Sequence, residues 1–390
     1  MLKSLILKRF FLPAVLLSVL SGHGLTSEKV STESEKLCLE ARQIMTMPAA
    51  EQDLIRLVQI DLLLSDERDS ASQETFRQIL RTLAISDHLT ALEHVRSVFE
   101  NEPERRAAVA WALSESTSLK PADLQDWRYM VRSLTVVDGD DATSVMKALQ
   151  RFRPRANKPQ WVRQVILIGL QLKPEQQPAA ISLLKHWTGM PRGKDLWMLT
   201  DYQAWFLKEH PDQPSAELPV DAANRKWNLA SLQSEIQNLQ PTAELVTAGE
   251  VAYQKAGCQK CHRRGTLGEA FGPDLTSLGW RRQKKEILHA ILFPSQELHE
   301  EYPSVTVQLK DGRTFSGMLS AGTAKSLSVI SNKAVREEFP RSDVEAIVNL
   351  KISNMPDGML EPLTLNEIRE LFAYLTSIDG VPRPHADELE

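Results

Sequence analysis

The sequence is poor in cysteine and carries little net charge, and both shortages narrow the classes of protein it can belong to. Three cysteines among 390 residues are too few for a fold held by disulfides. The net charge is −5, from 46 lysine and arginine residues against 51 aspartate and glutamate residues, so no nucleic-acid partner is expected. A hydrophobic content of 42% and a charged content of 25% exclude a disordered chain, a collagen and a polytopic membrane protein. The length predicts about two or three domains.

Residues 1–24 are predicted to be a secretory signal. Three basic side chains precede an uncharged apolar run at 10–20, and Gly22 and Gly24 suit a cleavage site. As a helix, this run of 11 residues spans roughly 16 Å, which is too short for a hydrocarbon layer of ~30 Å. The alternative is an uncleaved anchor, because leucines before the basic pair extend the apolar character. We expect a periplasmic or secreted protein, attached to a membrane only if the signal is not cleaved.

Residues 35–210 are predicted to form stacked amphipathic helices. Apolar residues recur at i, i+3, i+4 and i+7, which marks one face of a helix. One such stripe is Phe76, Ile79, Leu80 and Leu83. The helices recur about every 20 residues, or about every 40 for a pair, which is typical of a HEAT-like α-solenoid. Six of the eight tryptophans fall here and are expected to be wedges between helices rather than a ligand-binding stripe. A proline-rich linker that ends in a short helix is predicted at 211–242.

Two of the three cysteines lie in Cys258-Gln259-Lys260-Cys261-His262, the motif of c-type haem attachment. Two thiols three positions apart can reach the two vinyl groups on one edge of a porphyrin, and the next residue presents an imidazole to the iron. Attachment also requires export, which the predicted signal supplies independently. The alternatives are a thioredoxin-like redox pair, although no βαβ pattern surrounds it, and half of a zinc site, although no second cysteine pair exists. We predict one covalently attached haem c.

His262 would supply one axial ligand, and Met355 is the candidate for the other. Pro356 disfavours helical backbone at Met355, so the thioether should lie on an extended loop. A thioether is a soft ligand that favours ferrous iron. The alternatives are a methionine that only fills the core, a different methionine ligand, or a second histidine. These other candidate ligands are Met318, Met359, His289 and His299.

The segment 272–275, Gly-Pro-Asp-Leu, is expected to orient the imidazole. In this prediction the carbonyl of Pro273 accepts the Nδ1 proton of His262, which fixes the tautomer for coordination through Nε2. Gly272 would let the backbone come close to the haem. The alternative is an ordinary loop turn.

Two helices are predicted to bracket the haem, one at about 243–257 and one at about 364–378. The second begins with a capping box at Thr364 before an apolar stripe. Gly249 on the first helix would let the two cross closely, and Tyr253 would pack against the second.

Residues 303–350, between the haem motif and Met355, are predicted to be β-structure. Alternating apolar residues precede a turn at Asp311-Gly312, and four further short runs follow. Five short strands favour a small barrel inserted in the haem domain, which is placed at 243–380. The predicted fold is therefore mainly α: a HEAT-like solenoid, then a cytochrome c-like helical haem domain with an inserted small β-barrel.

Several short motifs, taken in order, resemble a known family. They are Gly249…Tyr253…Cys258-x-x-Cys261-His262, Gly272-Pro273-Asp274-Leu275, Ile291-Leu292-Phe293-Pro294-Ser295, Tyr302, Asp311-Gly312 with Gly317, Ser353-Asn354-Met355-Pro356-Asp357-Gly358, and Leu371-Phe372-Ala373-Tyr374-Leu375. The span from about 245 to 378, about a third of the chain, is similar to the planctomycete-type haem-binding domain, a class I-like c-type cytochrome module that often follows helical repeats. Phe293 stands where that family usually has aspartate, and Glu301 where it usually has glycine.

This resemblance implies which residues hold the haem. Two would form thioether links and two would be the proximal and distal ligands: Cys258, Cys261, His262 and Met355. Pro273 and Leu275 would also contact the cofactor.

Together these predictions describe an exported monohaem c-type cytochrome that transfers single electrons to or from a redox partner, such as a dehydrogenase or another cytochrome, and is not itself an enzyme. The alternatives are a haem-based sensor or gas binder, and a helical-repeat scaffold whose haem is structural. Cys38 is expected to be a buried thiol in the first helix, or to link two chains.

Basic residues near the motif are a candidate docking face for an acidic partner. They are Lys255, Lys260, Arg263, Arg264, Arg281, Arg282, Lys284 and Lys285. The alternatives are pairing with haem propionates and, for 281–288, a solvated helix face.

Overall fold

The computed structural model describes residues 32–64, 70–86, 88–116, 124–156, 158–193, 195–220, 225–298, 301–320 and 323–382. The predicted signal, 1–24, and the candidate ligand His299 lie outside these residues. Within them the protein is mainly helical and has one small antiparallel sheet of five strands, as the sequence predicts at that level of detail.

The first part of the described chain is a stack of ten α-helices. They are α1 (Glu33–Thr46), α2 (Leu54–Leu64), α3 (Ser70–Ile85), α4 (Leu89–Asn101), α5 (Arg106–Glu115), α6 (Leu124–Arg132), α7 (Gly139–Leu149), α8 (Pro159–Gln171), α9 (Gln177–Thr188) and α10 (Leu199–Glu209). The helices α1, α3, α5, α7 and α9 form a row in which each contacts the next, and the even-numbered helices pack beside that row. We call this part the helical region.

The helical region has two apolar cores that follow the predicted stripes. One is shared by α1 to α6 and contains the predicted stripe of α3, all of which is buried. The other is shared by α5 to α10. All six tryptophans of the region pack into or against these cores, and Trp187 is only 4% exposed, so the prediction that they are wedges is confirmed. Cys38 is a buried free thiol in α1, with its Sγ 3.7 Å from Ser72 Oγ.

Five further α-helices follow. They are α11 (Leu229–Ile236), α12 (Ala243–Lys255), α13 (Leu278–Arg281), α14 (Lys284–Leu292) and α15 (Leu365–Thr376). A third core joins them, with Tyr253, Leu288 and Phe372 among its most buried residues. Leu232 of α11 lies in the same core, so part of the segment predicted as a linker, 211–242, packs as core of this C-terminal region.

The predicted β-segment forms a single sheet, and the prediction of a barrel is wrong. Its strands are β1 (Ser304–Leu309), β2 (Thr314–Ser320), β3 (Ser326–Ile330), β4 (Arg336–Pro340) and β5 (Val344–Asn349). The sheet order is β4-β3-β2-β1-β5, so β4 and β5 are its two edges and do not pair. In the chain, β4 is connected to β5 by only the three-residue turn Arg341–Asp343. Because so short a connection keeps the two edges near each other, the sheet curls strongly, although its edges do not pair. One apolar face is buried around Val307, Val329 and Phe339.

The predicted hairpin at Asp311-Gly312 is confirmed. β1 and β2 pair antiparallel on either side of it, with Val307 opposite Phe315. Val307 also lies opposite Ile347, which fixes the register of β5 on the other side of β1.

Candidate haem attachment site

The haem motif lies on a tight turn directly after α12. Gly257 ends the helix in a left-handed conformation (φ 81°), which any other residue would adopt only with strain. Cys258–Lys260 then form one turn of 3₁₀ helix, and the His262 N–H donates to the Cys258 carbonyl at 2.9 Å. The short turn places both cysteines and the histidine within a few residues of a rigid helix end.

Both motif cysteines are free thiols in a half-buried position. Burial raises the pKa of Cys258 to about 12, and burial also raises the pKa of Cys261. A thioredoxin-like pair needs the opposite shift, because its attacking cysteine must be a thiolate near neutral pH. The shift at both cysteines is opposite to the one that a thioredoxin-like pair uses.

The imidazole of His262 is held in one tautomer. Its Nδ1 lies 2.9 Å from the carbonyl oxygen of Pro273, so the predicted hydrogen bond is present. A carbonyl can only accept, so Nδ1 carries the proton and the Nε2 lone pair is left for coordination. Burial lowers the pKa of His262, and this effect outweighs the hydrogen bond, which raises the pKa. Burial therefore keeps the ring neutral.

The loop that carries Pro273 is bound closely to the motif. The Phe271 and Gly272 N–H groups both donate to the Cys261 carbonyl, at 3.0 and 2.7 Å. A Cβ on Gly272 would come within 2.7 Å of the His262 ring, so only glycine fits against the imidazole. Leu275 is half-buried against the C-terminal core, and its N–H donates to the Arg263 carbonyl at 2.8 Å.

The two helices predicted to bracket the haem do cross closely. A Cβ on Gly249 of α12 would lie 2.0 Å from the Glu370 carbonyl oxygen of α15. The rings of Tyr253 and Tyr374 pack beside this crossing, with their centroids 5.4 Å apart. The capping box of α15 is formed by Thr364 and Glu367, as predicted.

Met355 lies half-buried on the loop that follows β5, outside any helix or strand. Its N–H donates to Ser353 Oγ at 3.1 Å, and the preceding side chain, Asn354, donates to the Ile330 carbonyl of β3 at 3.1 Å. The Ser353 N–H in turn donates to Ser295 Oγ at 3.1 Å. The loop is thus anchored both to the sheet and to the turn that follows α14.

The alternative ligands lie in different surroundings. Met359 is next to the start of the motif, because its Cε is 4.0 Å from where a Cβ on Gly257 would be. Met318 is buried in the middle of the sheet, in register with Ile330. His289 packs against the Phe293 ring, and the charges that act on it belong to Glu297, Arg163 and Lys285.

Five of the eight basic residues near the motif form ion pairs within the chain, and two of them, Lys284 and Lys285, do so with the helical region. A docking face for an acidic partner stays a prediction. Lys284 has a side chain only 8% exposed and contacts Glu104 of the helical region at 3.2 Å. Lys285 contacts Asp138 at 3.3 Å, again in the helical region. The other ion pairs of the cluster are Arg282–Glu286, Arg282–Glu297, Arg263–Asp274 and Lys255–Glu367.

Sequence reasoning missed the contact that uses these residues. The segment from Trp280 to Glu297 packs on the helical region, where Arg106 donates to the carbonyls of Trp280 and Arg281 and Gln283 donates to the Pro103 carbonyl. Arg106 and Gln283 are both buried. A buried arginine on an amphipathic helix has no sequence signal that separates it from a surface arginine.

The described part of the chain contains no group of three or more histidine, cysteine, aspartate or glutamate side chains placed to hold a metal ion. No helix in it combines the length and the apolar character needed to cross a bilayer. In comparisons with known proteins, no family model and no curated protein matches the chain.

Proposed function

We propose that the C-terminal region is a c-type cytochrome module with one covalently attached haem, and that the protein is an exported carrier of single electrons. One observation carries the proposal: the imidazole that follows the two motif thiols donates from Nδ1 to the Pro273 carbonyl, which leaves its Nε2 lone pair for coordination. Thioether attachment and axial ligation require that combination of donors.

The residues present fit a haem, and each would have a distinct role. Cys258 and Cys261 would hold it covalently, His262 would be the proximal ligand and Met355 the distal ligand. When bound, the haem supplies the one-electron chemistry. Pro273 orients the imidazole and fixes its tautomer, burial keeps the ring neutral, and Gly272 leaves room for it. Pro273 and Leu275 would line the cofactor.

The helical region supports a finer proposal about the fold. Its row of odd-numbered helices, with the even-numbered ones packed alongside, fits a HEAT-like solenoid in which each helix pair buries its apolar face on the next. The α12–α15 crossing at Gly249 supports a cytochrome c-like helical arrangement for the C-terminal region. We further propose that 1–24 is a cleaved signal, that the protein is periplasmic or secreted, and that its partner is a dehydrogenase or another cytochrome.

Mass spectrometry tests the proposed attachment. The full chain is produced in a host that attaches haem c, and we expect its mass to exceed that of the mature polypeptide by one haem. The variant Cys258→Ala/Cys261→Ala should lose this mass. Cys38→Ala is the matched control, because it removes a buried thiol that lies in α1, and it should keep the haem. The mass of the bare polypeptide in the unmodified chain would refute the proposal.

A carbon monoxide titration separates the electron carrier from a gas binder, and an electron-transfer assay separates it from a scaffold. A carrier with Met355 bound to the iron reacts slowly in its ferrous form, whereas a gas binder with an open sixth position reacts at once. A scaffold with a structural haem would exchange no electrons with a dehydrogenase or another cytochrome.

A further inference from the structure

Two buried arginines of the helical region reach across to the C-terminal region. Arg106 and Arg163 are 6% and 7% exposed. Arg106 donates to main-chain carbonyls of the segment that follows Pro273, whereas Arg163 donates to the turn Pro294–Gln296. The two residues have the same chemistry but contact different parts of the C-terminal region.

Arg163 uses its whole guanidinium group in this contact. Its Nε donates to the Pro214 and Ser215 carbonyls at 3.1 and 2.9 Å. One terminal nitrogen donates to the Gln296 carbonyl at 2.8 Å and the other to Gln296 Oε1 at 2.5 Å. Burial lowers the pKa of Arg163 to about 10, so the charge is desolvated and its hydrogen bonds are correspondingly costly to lose. Gln296 is therefore fixed through both its main chain and its side chain.

A continuous series of hydrogen bonds leads from this turn to Met355. Ser295 precedes Gln296, and its Oγ accepts the Ser353 N–H at 3.1 Å. The Ser353 Oγ then accepts the Met355 N–H at 3.1 Å. These two bonds set the backbone of the loop just before the thioether.

We infer that Arg163 is a positioning residue for Met355: by fixing the turn 294–296 it holds the loop that presents the thioether to the cofactor. The inference rests on the proposed function, because it concerns the distal ligand of the haem. The helical region would then act inside the molecule, as a clamp that keeps the sixth ligand in place. The physical reason is preorganisation, since a ligand on an already ordered loop loses less conformational entropy on binding.

The test uses the haem-loaded full chain, four single variants and one double variant. The single variants are Arg163→Gln, Ser295→Ala, Arg106→Gln and Met355→Ala, and the double variant combines Arg163→Gln with Ser295→Ala. The first readout is the absorption band that a methionine sulfur gives with ferric iron, and the second is the fraction of ferrous protein that binds carbon monoxide rapidly. The reduction potential is a third readout, because loss of a thioether ligand lowers it. A role in stability alone would move none of these three.

We expect Arg163→Gln to raise the rapidly reacting fraction about tenfold and to weaken the ferric band in proportion. Ser295→Ala should give the same result, although it leaves the helical region and all Arg163 contacts intact. The double variant should be no worse than the more affected single variant, because the two bonds act in series. Arg106→Gln should retain the wild-type band, and Met355→Ala should lose it completely.

Ser295→Ala keeps the inference testable if Arg163→Gln does not fold. Wild-type bands in both Arg163→Gln and Ser295→Ala, together with a lost band in Met355→Ala, would overturn the positioning role and leave the proposed function standing. An equal loss in Arg106→Gln would overturn it too, because the effect would then be general undocking. An unchanged ferric band in Met355→Ala would show that Met355 is not the distal ligand, and the inference would fall with that assignment. A chain without haem would refute the proposed function itself.

Discussion

The hydroxyl of Tyr253 donates a 2.6 Å hydrogen bond to the main-chain carbonyl of His262. Tyr253 is fully buried in α12, and burial raises its pKa, so the hydroxyl remains a donor at any ordinary pH. The bond links two residues nine positions apart, one on α12 and the other the motif histidine, and satisfies the main-chain carbonyl of that candidate ligand. The orientation of the imidazole thus depends on the helix crossing as well as on Pro273.

Replacing Tyr253 by phenylalanine should lower the free energy of unfolding by about 1 kcal/mol, the usual cost of one lost hydrogen bond, and chemical denaturation measures it. We also expect a shifted haem absorption spectrum, because the His262 main chain loses its anchor. Tyr202→Phe is the matched control, since Tyr202 is also fully buried and donates to a main-chain carbonyl, that of Met190 in the helical region. A similar loss of stability but an unchanged spectrum is expected there, and equal spectra in both variants would contradict the role assigned to Tyr253.

Gly249→Ala should destabilise the C-terminal region by about 1–3 kcal/mol or more, because the added methyl would lie 2.0 Å from the Glu370 carbonyl oxygen and force α12 and α15 apart. The loss would show as a lower midpoint in urea unfolding of the full chain. Val251→Ala on the same helix is the control, because Val251 is 66% exposed, and it should change stability by less than about 0.5 kcal/mol. If the two variants unfold at the same midpoint, the close crossing is not as described.

Gly272→Ala should displace the imidazole of His262, because a Cβ there would lie 2.7 Å from Cε1 and 2.9 Å from Nδ1 of the ring. In the haem-loaded protein we expect an altered low-spin absorption spectrum, because the His262 imidazole would bind the iron more weakly. Gly265→Ala is the comparison, since nothing lies within 4 Å of its Cβ position. That variant has backbone strain at φ +61° but no clash with the imidazole, so its spectrum should match the wild type. A wild-type spectrum for Gly272→Ala would show that the ring has room to move.

The start of α15 should become less stable in acid. The Lys255 ammonium, and then the Thr364 N–H, lower the pKa of Glu367 to about 2 from 4.5. Because the folded pKa lies below the unfolded one, the stabilisation is fully present above about pH 4.5 and is lost as the pH falls through about 2. Glu367→Gln should therefore be less stable at neutral pH, and its stability should change less with pH across this window. Denaturation curves between pH 6 and pH 2 measure the effect, and parallel curves for the two proteins would contradict it.

The local parts of the candidate site were predictable because short spacings determine them. The helix before the motif and the Pro273 hydrogen bond each lie within a short stretch of the chain. The Gly249 crossing joins two helices that are distant in the chain, and it was predicted from the small size of glycine. The β-segment was predictable as five strands, because alternation reports which residues lie on one face. Whether its edges pair depends on curvature and edge contacts between β4 and β5, which alternation does not encode.

The contact between the two regions was not predictable. Lys284 and Lys285 were predicted to belong to an open basic cluster, but they pair with Glu104 and Asp138, which are almost 150 residues or more away in the chain. Arg163 had no marked role at all, because its importance comes from its burial against Gln296. Charge and spacing in a sequence cannot show which partner satisfies a charged group when the partner is distant.

By itself the sequence determined which side chains are candidates to hold a cofactor, the order of helices and strands, and the stripes that become cores. Those features depend on residue type and on separations of a few positions, which are present in the unfolded chain. Only the tertiary structure decided that the sheet stays open and that Lys284 and Lys285 contact the helical region. It also decided that Arg163 binds Gln296, in the turn that is hydrogen-bonded to the loop of Met355. Such contacts exist only after distant segments have packed, because burial is what makes one hydrogen-bond partner preferable to water.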